Sequence, residues 1–197
     1  MTSVRQAVPA GDTAPGESRS TRVRILDAAL ALFAEKGYEA TSMREIAEQL
    51  GMTKAALYYH FAGKDAIVLA LLADIEEQVE ELVTWASDQP LTPGLRRQVL
   101  ERWTDIMQAH GITAFRFVMA NRHVVHQIRP DRSGMVANMG ELYALLTPPD
   151  ATIEEQLRVR LALVSVNMAG FVGAGIDAPD EAILEAARRL ALELMPD

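Results

Sequence analysis

The stretch from Thr41 to Phe61, TSMREIAEQLGMTKAALYYHF, constrains the fold more than any other part of the chain. Ser42, with Glu45 three residues later, forms a capping box, a pattern that predicts the start of a helix. Gly51 predicts the end of that helix, and Thr53 is suited to cap a second one directly afterwards. Two short capped helices joined by a glycine predict a helix-turn-helix, with the motif at 42–61.

The second of these helices has an apolar side and a polar side. Leu57 and Phe61 are four residues apart, so both turn toward the first helix. The side chains that face away are those of Lys54, Ala55, Tyr58 and Tyr59. A face of this kind can enter the major groove of DNA and meet base edges and phosphates. Capped helix pairs also occur in proteins that never contact DNA, and the pattern alone leaves that alternative open.

The residues around the motif resemble the tetracycline-repressor (TetR) family over roughly the first third of the chain. They follow the order and spacing of that family: Ile25, Ala28, Ala29, Leu32, Phe33, Gly37, Tyr38, Thr41, Ile46, Ala47, Gly51, Met52, Thr53, Leu57, Tyr58, His60, Phe61 and Lys64. Gly63 departs from the pattern, because family members often have a polar capping residue there. The resemblance implies an all-α protein, with an N-terminal three-helix DNA-binding domain followed by a larger helical ligand-binding and dimerisation domain.

The resemblance also implies roles for individual residues at the DNA. Thr41 and Ser42 would hold a phosphate at the start of the first motif helix. Four residues would face the groove, namely Thr53, Lys54, Ala55 and Tyr58. Three would bind backbone phosphates, namely Tyr59, His60 and Lys64. Tyr59 packing against its own subunit and His60 only capping its helix remain structural alternatives.

Composition divides the chain into three segments. Residues 1–18 are rich in Pro, Gly, Ser and Ala without periodicity, which predicts a disordered arm. Residues 19–64 form the predicted DNA-binding domain, and residues 65–197 the predicted effector-binding and dimerisation domain. Arg19 and Arg22, where the arm meets the first helix, could reach phosphates or simply be solvated.

Charge follows the same division. The whole chain carries a formal net charge of -8, but residues 1–64 hold 8 Lys and Arg against 7 Asp and Glu. The acidic excess therefore lies outside the motif, where it would help to orient docking on DNA or would form an ordinary acidic surface. With no cysteine, the chain can form neither disulfides nor thiolate metal sites. We find neither an apolar run of membrane-spanning length nor a signal-peptide pattern, and expect a cytoplasmic, nucleoid-associated protein.

Beyond Lys64 the pattern changes to long amphipathic helices. The stretch 65–87 predicts a connecting helix, and residues 94 to about 146 predict three helices broken at Gly111 and at 129–131. Aromatic, methionine and polar side chains in this region form either an ordinary helical core or, as the resemblance implies, a pocket for a small apolar or aromatic effector. The candidates for this pocket are Trp103, Met107, Phe115, Phe117, Asn121, His123, Met139 and Tyr143.

The last two predicted helices carry apolar faces that need covering. The resemblance implies that they pair with the same helices of a second subunit as a four-helix interface. The interface candidates are Leu161, Met168, Phe171, Ile183, Ala187, Leu190 and Leu194. A helical hairpin within one chain is the alternative.

Taken together, these patterns favour a homodimeric transcriptional regulator, most simply a repressor that a small effector releases from a palindromic double-stranded operator. A metal-binding enzyme is a second hypothesis, because His123 and His126 are three residues apart on one helical face, with Asp131 nearby as a third ligand. No catalytic residue, metal ligand set or cofactor is otherwise indicated. A regulator that binds DNA or protein without an effector is the third hypothesis.

Overall fold

The computed structural model describes residues 15–131 and 133–196, with side chains described for 20–109, 114–131 and 133–196. Within these residues the chain forms nine α-helices and no strand, which confirms the all-α class. The helices are α1 (Pro15–Lys36), α2 (Met43–Gln49), α3 (Lys54–His60), α4 (Lys64–Ser87), α5 (Pro93–Ala120), α6 (Arg122–Ile128), α7 (Ser133–Leu146), α8 (Ile153–Val172) and α9 (Asp180–Leu194).

Four of the described helices start at capping signals in the sequence. The side chains of Ser42, Thr53, Thr92 and Thr152 each accept a hydrogen bond from a backbone N–H in the first turn that follows. Gly63 precedes α4 without a side-chain cap, as its departure from the family pattern predicts. These boundaries are local, so neighbouring residues alone determine them.

Two boundaries differ from the prediction. Helix α1 begins at Pro15, inside the stretch 1–18 that was expected to be a disordered arm; the first fourteen residues lie outside the described part. Proline suits a helix start, because its fixed φ is helical and its missing N–H is not needed there. The break predicted at Gly111 is wrong, since α5 continues to Ala120. A glycine within a helix costs only about 1 kcal/mol, which packing can offset.

The helix instead ends at Asn121, whose backbone leaves the helical region at φ -113° and ψ 33°. The Asn121 side-chain amide donates a hydrogen bond to the carbonyl oxygen of Phe117 at 2.9 Å. This residue satisfies a carbonyl at the end of α5, and α6 begins at the next residue, Arg122.

The buried side chains form two hydrophobic clusters. The amino-terminal cluster joins α1, α2, α3 and the first turns of α4 to the end of α5 and to α6, and it includes Phe33, Leu57, Phe117 and Val125. The body cluster joins the rest of α4 and α5 to α7, α8 and α9, and it includes Trp103. Both α4 and α5 contribute to both clusters, so these two helices connect the halves of the molecule.

Helix α4 has 24 residues and begins at Lys64, shortly after α3 ends at His60. At 1.5 Å per residue its axis is about 36 Å long. It therefore runs from the helix-turn-helix far into the body, as predicted for the connecting helix. No single helix in 15–131 or 133–196 is long and apolar enough to cross a membrane; α3 and α4 satisfy that test only as a pair bent by 42°.

Candidate nucleic-acid interface

The turn between α2 and α3 is built by the backbone. Gly51 has a φ of +63°, a left-handed conformation that glycine adopts without the strain of a side chain. The amide of Met52 then donates to the carbonyl oxygen of Ala47 at 3.0 Å. At the start of α2, the Ser42 amide and hydroxyl both donate to the Glu45 carboxylate, at 2.9 and 2.8 Å. The turn between α2 and α3 is thus formed by a left-handed glycine and a backbone hydrogen bond.

Helix α3 presents one face to solvent because the other is fully packed. Leu57 is 0% exposed and Phe61 3%, while Tyr58 is 44% and Tyr59 80% exposed. Lys54 is also exposed, with its ammonium nitrogen 5.5 Å from the centre of the Tyr58 ring. Together with exposed Thr53 and Ala55, these side chains form a continuous face beside the amino terminus of α3, which we call the α3 face (Thr53, Lys54, Ala55, Tyr58 and Tyr59).

Thr41 is placed differently from the prediction that it holds a phosphate. The residue is 2% exposed, and its hydroxyl lies 2.8 Å from the carbonyl oxygen of Gly37 and 3.3 Å from that of Leu32. Both carbonyls lie at or near the end of α1, so Thr41 ties the loop before α2 to that helix. Its hydroxyl is not available to DNA in this structure.

Lys64 is likewise engaged inside the domain. Its ammonium group donates to the carbonyl oxygen of Tyr38 at 2.6 Å and lies 4.4 Å from the centre of the Tyr38 ring. A weaker contact at 3.4 Å reaches the carbonyl oxygen of Glu39. The structure makes Lys64 a link between the start of α4 and the loop after α1, whereas the family resemblance implied a phosphate contact.

The end of α3 is held by a residue whose role the sequence did not indicate. The guanidinium of Arg22 donates to the carbonyl oxygen of His60 at 3.0 Å and lies 4.4 Å from the centre of the Phe61 ring. A cation suits this position, because the carboxyl end of a helix carries partial negative charge. The His60 ring lies edge-on to Tyr59, with centroids 5.3 Å apart. Arg22, which lies on α1, therefore holds the carboxyl end of α3 against α1.

The start of α2 is held by charge as well. The Lys36 ammonium lies 3.0 Å from the Glu45 carboxylate. Hydrogen bonds from Lys36 and then from the Ser42 amide and hydroxyl lower the pKa of Glu45 from its usual 4.5 to about 2. Glu45 therefore stays charged to low pH, where it binds both the end of α1 and the start of α2.

The eight candidate effector-binding residues fall into three different environments. Trp103 is 2% exposed in the body cluster, and its indole N–H donates to the carbonyl oxygen of Leu163 at 3.1 Å. Phe117 belongs to the amino-terminal cluster, so it does not share a pocket with Trp103. Asn121 caps α5, and His123 is exposed.

The remaining candidates lie at partly buried positions. Met107, Met139 and Tyr143 pack against the body cluster from its rim, and Phe115 is half-buried. The Arg160 guanidinium lies 4.9 Å from the centre of the Tyr143 ring, while burial raises the pKa of the Tyr143 hydroxyl. These three side chains therefore share a place at the rim of the body cluster, apart from Phe117, Asn121 and His123.

The histidine pair does not form a metal site in the described part of the chain. His123 and His126 are both exposed on α6. Asp131 accepts a hydrogen bond from the Ser133 amide at 2.9 Å, and this bond lowers the pKa of its carboxyl. No group of three or more His, Asp or Glu side chains with metal-binding geometry occurs among the described residues.

Helices α8 and α9 carry an apolar groove of about 330 Å³. Met168, Ile183, Ala187 and Leu190 are among the residues that line it. Leu161, Phe171 and Leu190 are 51, 60 and 58% exposed, whereas Ala187 is only 8% exposed and Leu194 is partly buried. Most of the predicted interface residues therefore present apolar surface, while Ala187 mainly packs within its own chain.

Small residues near the end of α8 serve contacts inside the chain. A Cβ at Gly173 would lie 2.6 Å from Cγ2 of Ile183 on α9. The Gly170 carbonyl oxygen accepts a hydrogen bond from Arg116 on α5 at 2.6 Å. At this end of α8 the close contacts are thus made by α9 and α5 of the same chain.

The geometry defines a helix-turn-helix protein with an exposed α3 face and a larger helical body. The family model described as "Bacterial regulatory proteins, tetR family" matches residues 25–71. Residues 25–71 of the chain are therefore similar to the corresponding segment of TetR-family regulators.

Similar proteins support this assignment. The HTH-type transcriptional repressor KstR2 of Rhodococcus jostii is 38% identical over 110 residues, which cover 54% of this chain and 52% of that protein. The uncharacterised HTH-type transcriptional regulator TtgW of Pseudomonas putida is 39% identical over 64 residues, 32% of this chain and 48% of that one. The chain thus aligns with about half, or less, of these relatives' lengths.

The similarity of the fold extends further than that of the sequence. A TetR-family transcriptional regulator from Marinobacter aquaeolei VT8 superposes with a TM-score of 0.63 over 89% of this chain and 99% of that chain, at 18% sequence identity. At that identity the match shows the fold alone. It covers the helical body as well as the helix-turn-helix.

Proposed function

We propose that this chain is a DNA-binding transcriptional regulator, and specifically a repressor, that acts as a homodimer on a twofold-symmetric operator. The α3 face carries the proposal. Its exposed lysine and tyrosines project from a short helix whose opposite side is packed against the domain. The name of KstR2, a transcriptional repressor, supports the same direction of regulation.

In this proposal Lys54 and Tyr58 contact base edges or phosphates at the floor and wall of the major groove, and Ala55 allows close approach. Tyr59, the most exposed of the set, reaches the adjacent backbone. In the same proposal the exposed, capped amino terminus of α2 at Ser42 provides a further phosphate contact. Thr41 and Lys64 have structural roles in place of the phosphate contacts that the resemblance implied.

A second subunit supplies the twofold symmetry. One recognition helix covers only a few base pairs, whereas two related helices about 34 to 36 Å apart would read successive major grooves. The groove on α8 and α9, with Phe171 and Leu190 exposed beside it, is the apolar surface that supports pairing of like helices. A self-complementary contact of this kind closes as a dimer.

The proposed regulation is release from DNA by a small molecule. Helix α4 supports it, because a single rigid helix belongs both to the cluster behind α3 and to the body cluster. A ligand that prefers one tilt of α4 shifts the population of the DNA-binding state by its difference in affinity for the two states. Operator DNA must then weaken ligand binding by the same factor.

Selection of duplexes from a random-sequence library with the purified protein tests this function. We expect enrichment of a sequence with twofold symmetry and a binding stoichiometry of two chains per site. A matched protein with Lys54→Ala and Tyr58→Ala should enrich nothing. If the unaltered protein also enriches no sequence, or enriches only asymmetric ones bound by a single chain, the proposal fails.

A further inference from the structure

A small cavity lies where the two hydrophobic clusters meet. It has a volume of about 50 Å³ and is lined by Leu72, Val125, Arg129 and Met135. Leu72 and Val125 belong to the amino-terminal cluster, whereas Met135 packs against the body cluster. A group bound here would contact both halves of the molecule and three helical segments, α4, the end of α6 and α7.

The polar wall of this cavity is a shielded ion pair. The Arg129 guanidinium pairs with the carboxylate of Glu76 on α4, and their side chains are only 31% and 18% exposed. Arg129 lines the cavity and Glu76 does not. A guanidinium at the edge of an apolar cavity is suited to a planar carboxylate, which can accept two of its five N–H donors in parallel.

The packing beside the ion pair is tight. A methyl group on Gly134 would overlap the Glu76 carboxylate, so α7 approaches α4 closely at this point. Gly140, on the same helix, has open space at the corresponding position. The placement of Glu76 therefore depends both on Arg129 and on the absence of a side chain at residue 134.

We propose that this cavity is the effector site and that it takes a small amphipathic carboxylate. The ligand carboxylate replaces Glu76 as the partner of Arg129, and its apolar part packs among Leu72, Val125 and Met135. Methionine adapts to different shapes because it is unbranched and has three rotatable side-chain bonds, so movement of Met135 enlarges the cavity for the ligand. Release of Glu76 removes the ion pair that ties α4 to the segment after α6.

The regulatory consequence rests on the proposed function, because it assumes that a change in the tilt of α4 alters the position of α3 on DNA. Ligand binding itself does not rest on it and can be measured without DNA. Competition between Glu76 and the ligand for one guanidinium also predicts opposite effects for two substitutions. Removing the charge of Arg129 must weaken binding, and removing the charge of its competitor must strengthen it.

Calorimetric titration of the full chain with phenylacetate and octanoate, each compared with its uncharged amide, tests the binding site. We expect at least one carboxylate to bind about 10-fold or more tightly than its amide, since hydrogen bonds to charged groups are the stronger ones. Arg129→Gln should abolish that preference, whereas Glu76→Gln should raise carboxylate affinity severalfold. Carboxylates that bind no better than the amides, or two variants that change affinity in the same direction, would overturn the assignment.

The regulatory step is tested on a duplex selected with the unaltered protein. Gly134→Ala displaces the Glu76 carboxylate without changing any charge, so it should weaken DNA binding by about 5-fold or more, within the usual range of coupling between sites. Gly140→Ala, in open space on the same helix, should leave the affinity unchanged. Equal DNA affinities for the two variants, or a higher DNA affinity for Gly134→Ala, would contradict the proposal that the Glu76–Arg129 pair controls DNA binding through α4. Failure to select any duplex contradicts the proposed function and leaves the titration to decide the site.

Discussion

The ring of Phe117 on α5 stacks on the ring of Phe33 on α1, with centroids 5.3 Å apart and planes 29° apart. Tyr38 completes the group, with its ring centre 5.1 Å from that of Phe33 and 5.9 Å from that of Phe117. The Tyr38 hydroxyl donates to the carboxylate of Asp65 at the start of α4. One aromatic group thus joins the helix-turn-helix to the two helices that lead into the body.

The stack makes Phe117 a determinant of the stability of the amino-terminal cluster. Phe117→Ala should lower the free energy of unfolding by about 3 to 5 kcal/mol, the usual cost of removing a buried aromatic ring. Phe115→Ala provides the control, because Phe115 is half-buried on the same helix. Urea denaturation of both variants measures the difference, and a cost for Phe117 no larger than that for Phe115 would contradict this role.

The α3 face should contribute to DNA affinity without contributing to stability. Lys54→Ala and Tyr58→Phe should each weaken binding to the selected duplex by about 1 to 3 kcal/mol, the range for specific groove contacts. Arg158→Ala removes one exposed positive charge on α8 and should leave binding unchanged. Fluorescence anisotropy and thermal unfolding, run together, separate the two effects; unchanged affinity in both α3 variants would remove α3 as the recognition helix.

Lys64 and Lys54 should respond to salt in different ways. Lys64→Ala removes the hydrogen bond to Tyr38 and should cost about 1 kcal/mol of stability, with the slope of log affinity against log salt unchanged. Lys54→Ala removes an exposed cation and should reduce that slope by about one if the cation meets a phosphate. A salt slope that falls in Lys64→Ala would restore the phosphate contact implied by the family resemblance.

The lowered pKa of Glu45 predicts an acid limb in the stability profile. A carboxyl whose pKa falls from 4.5 to about 2 on folding stabilises the native state above pH 4.5, and this contribution is lost as pH falls toward 2. Glu45→Gln should flatten that part of the curve. Lys36→Gln should raise the pKa of Glu45 in the folded protein, because the hydrogen bond from Lys36 is the largest cause of the shift. The pH range over which the stability falls should then end at a higher pH than in the unaltered protein. Denaturation midpoints measured from neutral pH down to the acid end of that window provide the test; identical limbs in all three proteins would refute it.

The groove on α8 and α9 makes a prediction about assembly. In the proposed dimer, Leu190→Glu and Phe171→Glu would each place a charge in an apolar seam against its own symmetry mate, so both variants should sediment as monomers and bind the duplex poorly. Val136→Glu is the matched control, since Val136 is 70% exposed on α7. Dimers of normal affinity in both seam variants would show that the interface lies elsewhere.

Local signals in the sequence were sufficient for most of the fold. The capping residues and Gly51 act on neighbours within a single helical turn, so the positions of α2 and α3 could be predicted. Periodicity likewise placed Leu57 and Phe61 on the buried side of α3. These features need no knowledge of the rest of the chain.

The sites depended on contacts between distant residues, and there the sequence was insufficient. Trp103 and Phe117 are both aromatic residues on α5, yet one donates to Leu163 and the other stacks on Phe33. Nothing in their spacing assigns them to separate clusters. Similarly, the hydroxyl of Thr41 could serve a phosphate or a carbonyl, and only the fold shows that it lies against the end of α1. The partnership of Glu76 with Arg129 spans 53 positions and left no trace in either local pattern.

The amino-terminal cluster extends beyond the helix-turn-helix segment that would be exchanged in a hybrid protein. Residues 25–71 match the family model, but Ala114, Phe117, Val118, Val124 and Val125 supply the other wall of the same core. A hybrid regulator in which residues up to 71 are joined to the helical body of another protein would place Phe33 and Tyr38 against side chains that do not match them in shape. A functional hybrid therefore has to include the end of α5 and α6 as well, or matching apolar side chains have to be introduced at the equivalent positions of the recipient protein.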